Sequence, residues 1–257
     1  MTLTKTGLRL VAATLLAGIA GLALGAHFAD AAESSRFSAA DKKAIGEIVR
    51  AYLLEHPEVL QEAAVAYQDK IDAQAKAKAA DAIKKQPKDI FADGYSFAVG
   101  NPKASVTVVE FFDYNCGHCR EAFPKLMKLI DEKADVRFIF KEYPIFDGSD
   151  EPAKAALAAA KQGKYLEFHR ALMATQGRVG AQAIDDAAKK LGLDLAKLKA
   201  DMKDPLIAAR IEANHKLGDA LAIDGTPSFV IGDELLAGWS DKLFDDYVKR
   251  ARDKKKS

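Results

Sequence analysis

Only two cysteines occur in the 257 residues, and they stand as Cys116-Gly117-His118-Cys119. Before them, Val106 to Phe112 is an apolar, β-branched and aromatic run that favours a buried strand. After them, Cys119, Phe123, Leu126, Met127 and Ile130 recur at helical spacing as far as Asp131. The pair therefore sits where a strand turns into a helix. The first turn of a helix offers unpaired N–H groups and the positive end of the macrodipole, both of which favour a thiolate. Cys116 is expected to be the acidic sulfur. Cys119, about one turn further in and facing the sheet, is positioned to attack a mixed disulfide formed at Cys116. His118, between them, can add positive charge or a hydrogen bond that favours the reduced form.

Two quieter readings of the pair are weaker on chemistry. A structural zinc site needs four Cys or His ligands at paired spacings, and no second pair exists. A purely structural disulfide across Cys-x-x-Cys would close a very short loop, where the entropic gain is smallest.

The chain has room for one good-sized core and a smaller appendage, with 49% hydrophobic residues and a formal net charge of +1. It lacks a basic stripe with interleaved aromatics, so nucleic acid is not an expected partner, and Lys254-Lys255-Lys256 reads as a solvated tail. Residues 1–31 have the order of a cleavable export signal. Lys5 and Arg9 lead, Leu10 to Leu24 is apolar, and Ala29-Asp30-Ala31 is a small-x-small exit. The alternative is an uncleaved membrane anchor. Export with one close cysteine pair points to redox chemistry in an oxidising compartment rather than to a stapled scaffold.

From Ser38 to Glu55 the pattern is helical, opening with Ser38 and Asp41 in capping-box order and carrying Ile45, Ile48, Val49, Tyr52 and Leu53 on one stripe. His56-Pro57 breaks it, and a second helix runs from Pro57 through Leu60, Ala64, Tyr67 and Ile71 to about Lys85. Its Ala-rich second half reads as a stalk, and the whole of 32–87 as a helical oligomerisation segment and linker, ending in the polar break Gln86-Pro87-Lys88-Asp89. The remainder, 88–257, reads as one catalytic domain. Val99-Gly100-Asn101-Pro102 is a turn, Val106 to Phe112 a strand, Gly117 onward a helix and Val136 to Phe140 the next strand, which makes a βαβ unit. Residues 149–222 read as an insertion of four or five helices. Ser228 to Ile231, Gly232-Asp233 and Glu234 to Ala237 form a hairpin, and a helix from Ser240 to about Arg252 closes the chain.

Three further positions break local rules. Pro227, after Thr226, enters a strand where it cannot donate a ladder hydrogen bond, which calls for an edge, a first position or a cis peptide. Glu110 and Lys141 are charged within apolar strands. A buried Glu110 would be partly protonated and could pass protons beneath the dithiol; otherwise it points to solvent or pairs with Lys141.

The Phe111-Phe112-Asp113-Tyr114-Asn115-Cys116-Gly117-His118-Cys119 run, the helical insertion and the Thr226-Pro227 strand entry together resemble the DsbA-like periplasmic thiol-disulfide oxidoreductases, most closely the ScsC (suppressor of copper sensitivity C) branch. The resemblance implies an α/β thioredoxin fold with an all-helical insertion, preceded by an N-terminal helical segment that oligomerises, as a trimer in some ScsC-like proteins. It implies Cys116 as nucleophile, Cys119 as resolving thiol, Thr226-Pro227 as the cis-proline loop that pairs with a substrate strand, and Glu110 and Lys141 as the family's buried acid and base. DsbA carries Pro-His and a Val before the cis-proline, whereas Gly117-His118 and Thr226 are the choices of disulfide isomerases.

The expectation is a periplasmic disulfide isomerase acting on unfolded or misfolded exported proteins with cysteines. It would need no cofactor and would be reset by a membrane redox partner. A dithiol oxidase is the nearest rival. A Cu(I)-binding protein of copper tolerance is another, although the chain holds no Met-rich or His-rich tract.

Overall fold

The computed structural model describes residues 37–256 apart from 133 and 134, so the export signal expected over 1–31 lies outside the described residues. Among the described residues no helix is long and apolar enough to cross a membrane.

Helix α1 spans Ala39–Glu55 and opens on the expected capping box. The Asp41 amide donates to Ser38 Oγ at 3.1 Å, and the Ser38 amide donates to Asp41 Oδ2 at 2.9 Å. None of its residues is buried, and Ile48 is 68% exposed and Tyr52 52% exposed. Helix α2, Glu58–Lys85, starts just after Pro57. The chain divides into two compact units after Leu60.

Within the second unit, α2 departs from the expected stalk. Val65 and Tyr67 are exposed, but Ala79, Ala82 and Ile83 near its C-terminus are buried. Ala82 and Ile83 join a core layer with Ile90, Val109, Phe111, Ile139, Leu217 and Val230. Small Ala residues let the helix approach closely, and Lys78 Nζ donates to the Asp219 carbonyl at 2.6 Å. Nor is the segment after it a linker. Pro87–Phe91 forms a short helix α3, with Pro at a favoured first position and Ile90 fully buried.

A five-stranded sheet follows, in the order β1-β3-β2-β4-β5. β1 (Phe97–Gly100) ends in Val99 and Gly100, the first two residues of the expected turn; it pairs antiparallel with β3 (Val136–Glu142), which runs two residues beyond the expected Phe140. β2 (Val106–Phe112) is parallel to β3, with α4 (Gly117–Asp131) as the crossover between them. The insertion is five helices: α5 (Asp150–Ala160), α6 (Tyr165–Met173), α7 (Ala181–Lys190), α8 (Leu195–Asp201) and α9 (Pro205–Ala220). Asp194 and Asp204 cap the last two by accepting the amides of Lys197 and Leu206 at 2.9 Å. β4 (Ser228–Ile231) turns at Gly232, whose φ of 64° suits glycine, into β5 (Glu234–Ala237), and α10 (Asp241–Lys256) closes the chain.

The parallel β2–β3 ladder decides which residues meet. Glu110 stands beside Phe140, and Phe111 beside Lys141. Because successive side chains alternate, Val108, Glu110 and Phe112 share one face with Phe138 and Phe140, while Val109 and Phe111 share the other with Ile139 and Lys141. The first face is covered by α4 residues Cys119, Ala122 and Leu126 together with the insertion. Phe112, Phe138, Phe168, Phe229 and Phe244 are fully buried there, each contributing about 2–3 kcal/mol of apolar transfer energy.

Candidate active site

Cys116 is the N-cap residue of α4, with φ −81° and ψ 122°, so its sulfur sits at the end where the helix amides are free. It is 2% exposed and Cys119 is fully buried; both are free thiols. The Thr226–Pro227 peptide is cis and faces them, and the Cys116 thiol donates to the Thr226 carbonyl at 3.0 Å. That loop is braced by the Gly238 amide donating to the Pro227 carbonyl at 2.9 Å and by Ser228 Oγ donating to the Gly225 carbonyl at 2.8 Å.

The environment divides the two sulfurs. Hydrogen bonding from the Cys119 thiol, helped by the Thr226 side chain and the amides of Cys119 and His118, outweighs burial and brings Cys116 down to about 6. The Thr226 hydroxyl has no other partner, which leaves it available to the sulfur. Cys119 is pushed far up, first by burial, then by its bond to Cys116 and the charge of Glu110. One sulfur is thus a thiolate near neutral pH, and the other keeps its proton.

Glu110 is 2% exposed, and burial followed by the Cys116 charge raises it to about 8. It neither reaches solvent nor meets Lys141, because one residue of offset along β2 and β3 puts the two on opposite faces. Lys141 is fully buried on the far face. Its Nζ donates to Asp93 Oδ2 at 2.5 Å, to the Asp89 carbonyl at 2.8 Å and to Ser96 Oγ at 3.3 Å. Burial pulls the Lys141 ammonium down and Asp93 and Asp89 pull it back. Burial likewise works against the Asp93 carboxylate, but the bonds from Lys141, Ser96 and Tyr95 hold it below its ordinary value. The site therefore gathers Cys116, Gly117, His118, Cys119, Glu110, Thr226 and Pro227, without Lys141.

The His118 ring is exposed and bonds to Glu121 Oε2 at 2.9 Å, an ion pair that raises its pKa; toward Cys116 it contributes its backbone N–H. Gly117 has open space where a Cβ would stand.

A second polar group beside the site escaped sequence reasoning. Tyr165 donates to Glu142 Oε1 at 2.7 Å and Tyr114 to the same oxygen at 3.2 Å, while Tyr114 Oη lies 3.0 Å from His169 Nδ1. Burial holds Glu142 well above the usual carboxylate range and brings His169 down to about 3, so His169 is neutral near pH 7. The signal that singled out Lys141, a charged residue in an apolar strand, applies equally to its neighbour Glu142. Nothing local marks His169.

Comparison with known proteins agrees with this geometry. Residues 92–249 match the family model described as Thioredoxin, and residues 41–74 match the model described as Copper resistance protein ScsC N-terminal domain. The chain belongs to the thioredoxin-fold, DsbA-like thiol-disulfide oxidoreductases. Within them, the N-terminal match and the solved relatives set it in the ScsC branch.

A thioredoxin-like oxidoreductase from Silicibacter pomeroyi DSS-3 is 42% identical with a TM-score of 0.62, covering 65% of this chain and 97% of that one. Proteus mirabilis ScsC in a transitional conformation is 30% identical with a TM-score of 0.62, covering 85% of this chain and 98% of that one. Disulfide bond formation protein D of Bacillus subtilis is 30% identical over 161 residues, which cover 56% of this chain and 70% of that protein. The chain also matches Na(+)/H(+) antiporter NhaA 3 of Salinispora tropica at 33% identity over 135 residues, and spans 21% of that protein's length.

Proposed function

We propose that this thiol-disulfide oxidoreductase is an isomerase of the periplasm, working from its reduced form on unfolded or misfolded exported proteins. The observation that carries the reading is the split between the sulfurs, with Cys116 at about 6 and Cys119 held protonated. The Cys116 thiolate attacks a client disulfide, forming a mixed disulfide and releasing a client thiolate. That thiolate attacks elsewhere in the client, and the rearranged client finally displaces Cys116 with no net change of oxidation state. Where rearrangement stalls, Cys119 displaces the client, leaving it reduced and the enzyme as a Cys116–Cys119 disulfide. Cys119 must lose its proton for that step. In the mixed disulfide the charge of Cys116 is gone, so Glu110 loses one of the two causes of its raised pKa and becomes the proton acceptor beneath it.

The unpartnered apolar stripe of α1, with Ile45, Ile48, Val49 and Tyr52 exposed, supports a homo-oligomer, trimeric by likeness to the ScsC branch, with several sites around a shared space. Export by a cleaved leader and resetting by a membrane reductant belong to the same reading. Reduced protein is expected to restore activity to scrambled ribonuclease, Cys116→Ser to abolish this, and Cys119→Ser to accumulate the mixed disulfide. No rescue by the reduced wild type discards the isomerase.

The low value of Cys116 also favours the reduced form, which is what an oxidant requires. A dithiol oxidase is therefore the second reading, told apart by a monomer in sedimentation and by oxidised Cys116 and Cys119 in the cell. A Cu(I) carrier would have the two soft sulfurs as ligands. Among the described residues no group of three His, Cys, Asp or Glu side chains stands ready to hold a metal ion.

A further inference from the structure

Between β2 and α4 lies a carboxylate that the exchange chemistry has not used. Asp113 is 2% exposed and accepts four hydrogen bonds. Its Oδ1 takes the Asn115 amide at 2.7 Å and the Ser149 hydroxyl at 2.7 Å, and its Oδ2 takes the amides of Ile145 at 2.8 Å and Phe146 at 3.0 Å. Its own carbonyl accepts the Cys116 amide at 3.2 Å. One side chain thus joins the turn before Cys116 to the loop between β3 and α5.

Two neighbours extend the clamp to the loop between α6 and α7. Asn115 Oδ1 accepts the Val179 amide at 2.8 Å, and its Nδ2 donates to Ser149 Oγ at 3.0 Å. Arg120, in the first turn of α4, donates from Nε to the Tyr114 carbonyl at 3.0 Å and from Nη1 to the Gly177 carbonyl at 2.7 Å. The segment holding the nucleophile is therefore fixed by two loops of the helical half, the one before α5 and the one between α6 and α7, rather than by the sheet alone.

We propose that Asp113 is a positioning residue for thiol-disulfide exchange, whose buried carboxylate clamps the Cys116 turn to the helical insertion and so aims the α4 amides at the Cys116 sulfur. The inference rests on exchange at Cys116 and is independent of whether the enzyme isomerises or oxidises. Hydrogen bonds to an anion weaken steeply with misalignment, so a turn freed to drift loses its hold on the thiolate while the helix behind it stays formed. Of the other groups that bear on this sulfur, none is bonded to the Asp113 carboxylate, and Cys119 meets only the Asp113 backbone, which a side-chain substitution retains.

Charge and position predict opposite signs, which makes the test decisive. Removing an anion near a thiolate lowers the thiol pKa, whereas loss of aim raises it. Asp113→Asn keeps the shape but turns an NH2 group toward donors. The full chain is titrated by the rate of Cys116 alkylation against pH, with far-UV circular dichroism and thermal melting as controls. The midpoint of Asp113→Asn is expected to rise by about one pH unit, the equivalent of one lost amide-to-thiolate bond. Ser149→Ala, which deletes one donor from the far side of the clamp, is expected to raise it by a few tenths. An unchanged or lowered midpoint in folded Asp113→Asn overturns the proposal. Should that variant fail to fold, an unchanged midpoint in Ser149→Ala overturns it instead. A wild type that titrates like a free cysteine overturns the exchange reading itself, a result distinct from both.

Discussion

The two faces of the β2–β3 ladder hold Glu110 and Lys141 a single step apart in register and treat them oppositely. Lys141 is surrounded by oxygen atoms from Asp93, Asp89 and Ser96 and lies 5.5 Å from the Tyr95 ring centroid, so its charge is matched and it holds the fold. Glu110, across the sheet, lies under the dithiol with its carboxyl raised to about 8. A matched buried charge is fixed in its ionisation and serves structure. An acid raised close to working pH is free to change its protonation and serves chemistry.

The largest expected effect follows from Glu110. The folded chain holds a proton at this carboxyl up to about pH 8 that the unfolded chain releases near 4.5. Between these values the unfolded state binds fewer protons, so stability falls as pH rises through the interval, and the loss is complete above it. Glu110→Gln is therefore expected to match the wild type in urea unfolding at pH 4 and to exceed it at pH 9. The ceiling is about 5 kcal/mol, at about 1.4 kcal/mol per unit over that span. Exchange by the variant should be slower in the resolving step. Equal stability at both pH values would mean that Glu110 is not buried as an acid, and the contrast between the faces would be lost.

Lys141→Met tests the other side. It removes the cation and leaves the Asp93 carboxylate, 7% exposed, without its partner, which is expected to cost about 3 kcal/mol in urea unfolding. The alkylation midpoint of Cys116 should stay in place, because the whole sheet separates the two groups. A midpoint that moved with Lys141 would show the faces to be coupled.

Much of this was legible from residue order. The strand, the Cys-x-x-Cys helix start, the helical insertion and the Gly232-Asp233 hairpin all follow local rules of period and turn chemistry. β1 was hidden because it is four residues long and ends in Val99-Gly100, where the Val99-Gly100-Asn101-Pro102 turn signal begins, and only pairing with β3 makes it a strand. The docked end of α2 was hidden for a related reason: an Ala-rich helix shows no stripe, yet Ala79 and Ala82 are buried because their small side chains allow close approach. In the site, Glu110 and Lys141 stood out as charges in apolar runs, but no single strand states which face its neighbour in the ladder will share. Asp113 and His169 lay beyond reach because their partners are supplied by loops and helices 30 or more residues distant, at Ile145, Ser149 and Tyr114.

The smallest expected effect concerns His118, the residue between the sulfurs. If its imidazolium were the main support of the Cys116 thiolate, His118→Ala would raise the alkylation midpoint by a unit or more. The geometry argues otherwise. The ring is spent on Glu121 at 2.9 Å and its side chain is 72% exposed, where water and salt screen any charge it offers. What acts on the sulfur is the His118 backbone N–H, which alanine retains. The midpoint of His118→Ala is therefore expected to rise by less than about half a pH unit and to do so only at low ionic strength, since a screened surface charge is all that is removed. A full unit that persists in 1 M salt would return the control of Cys116 to the imidazole and take it away from the amides that Asp113 holds in line.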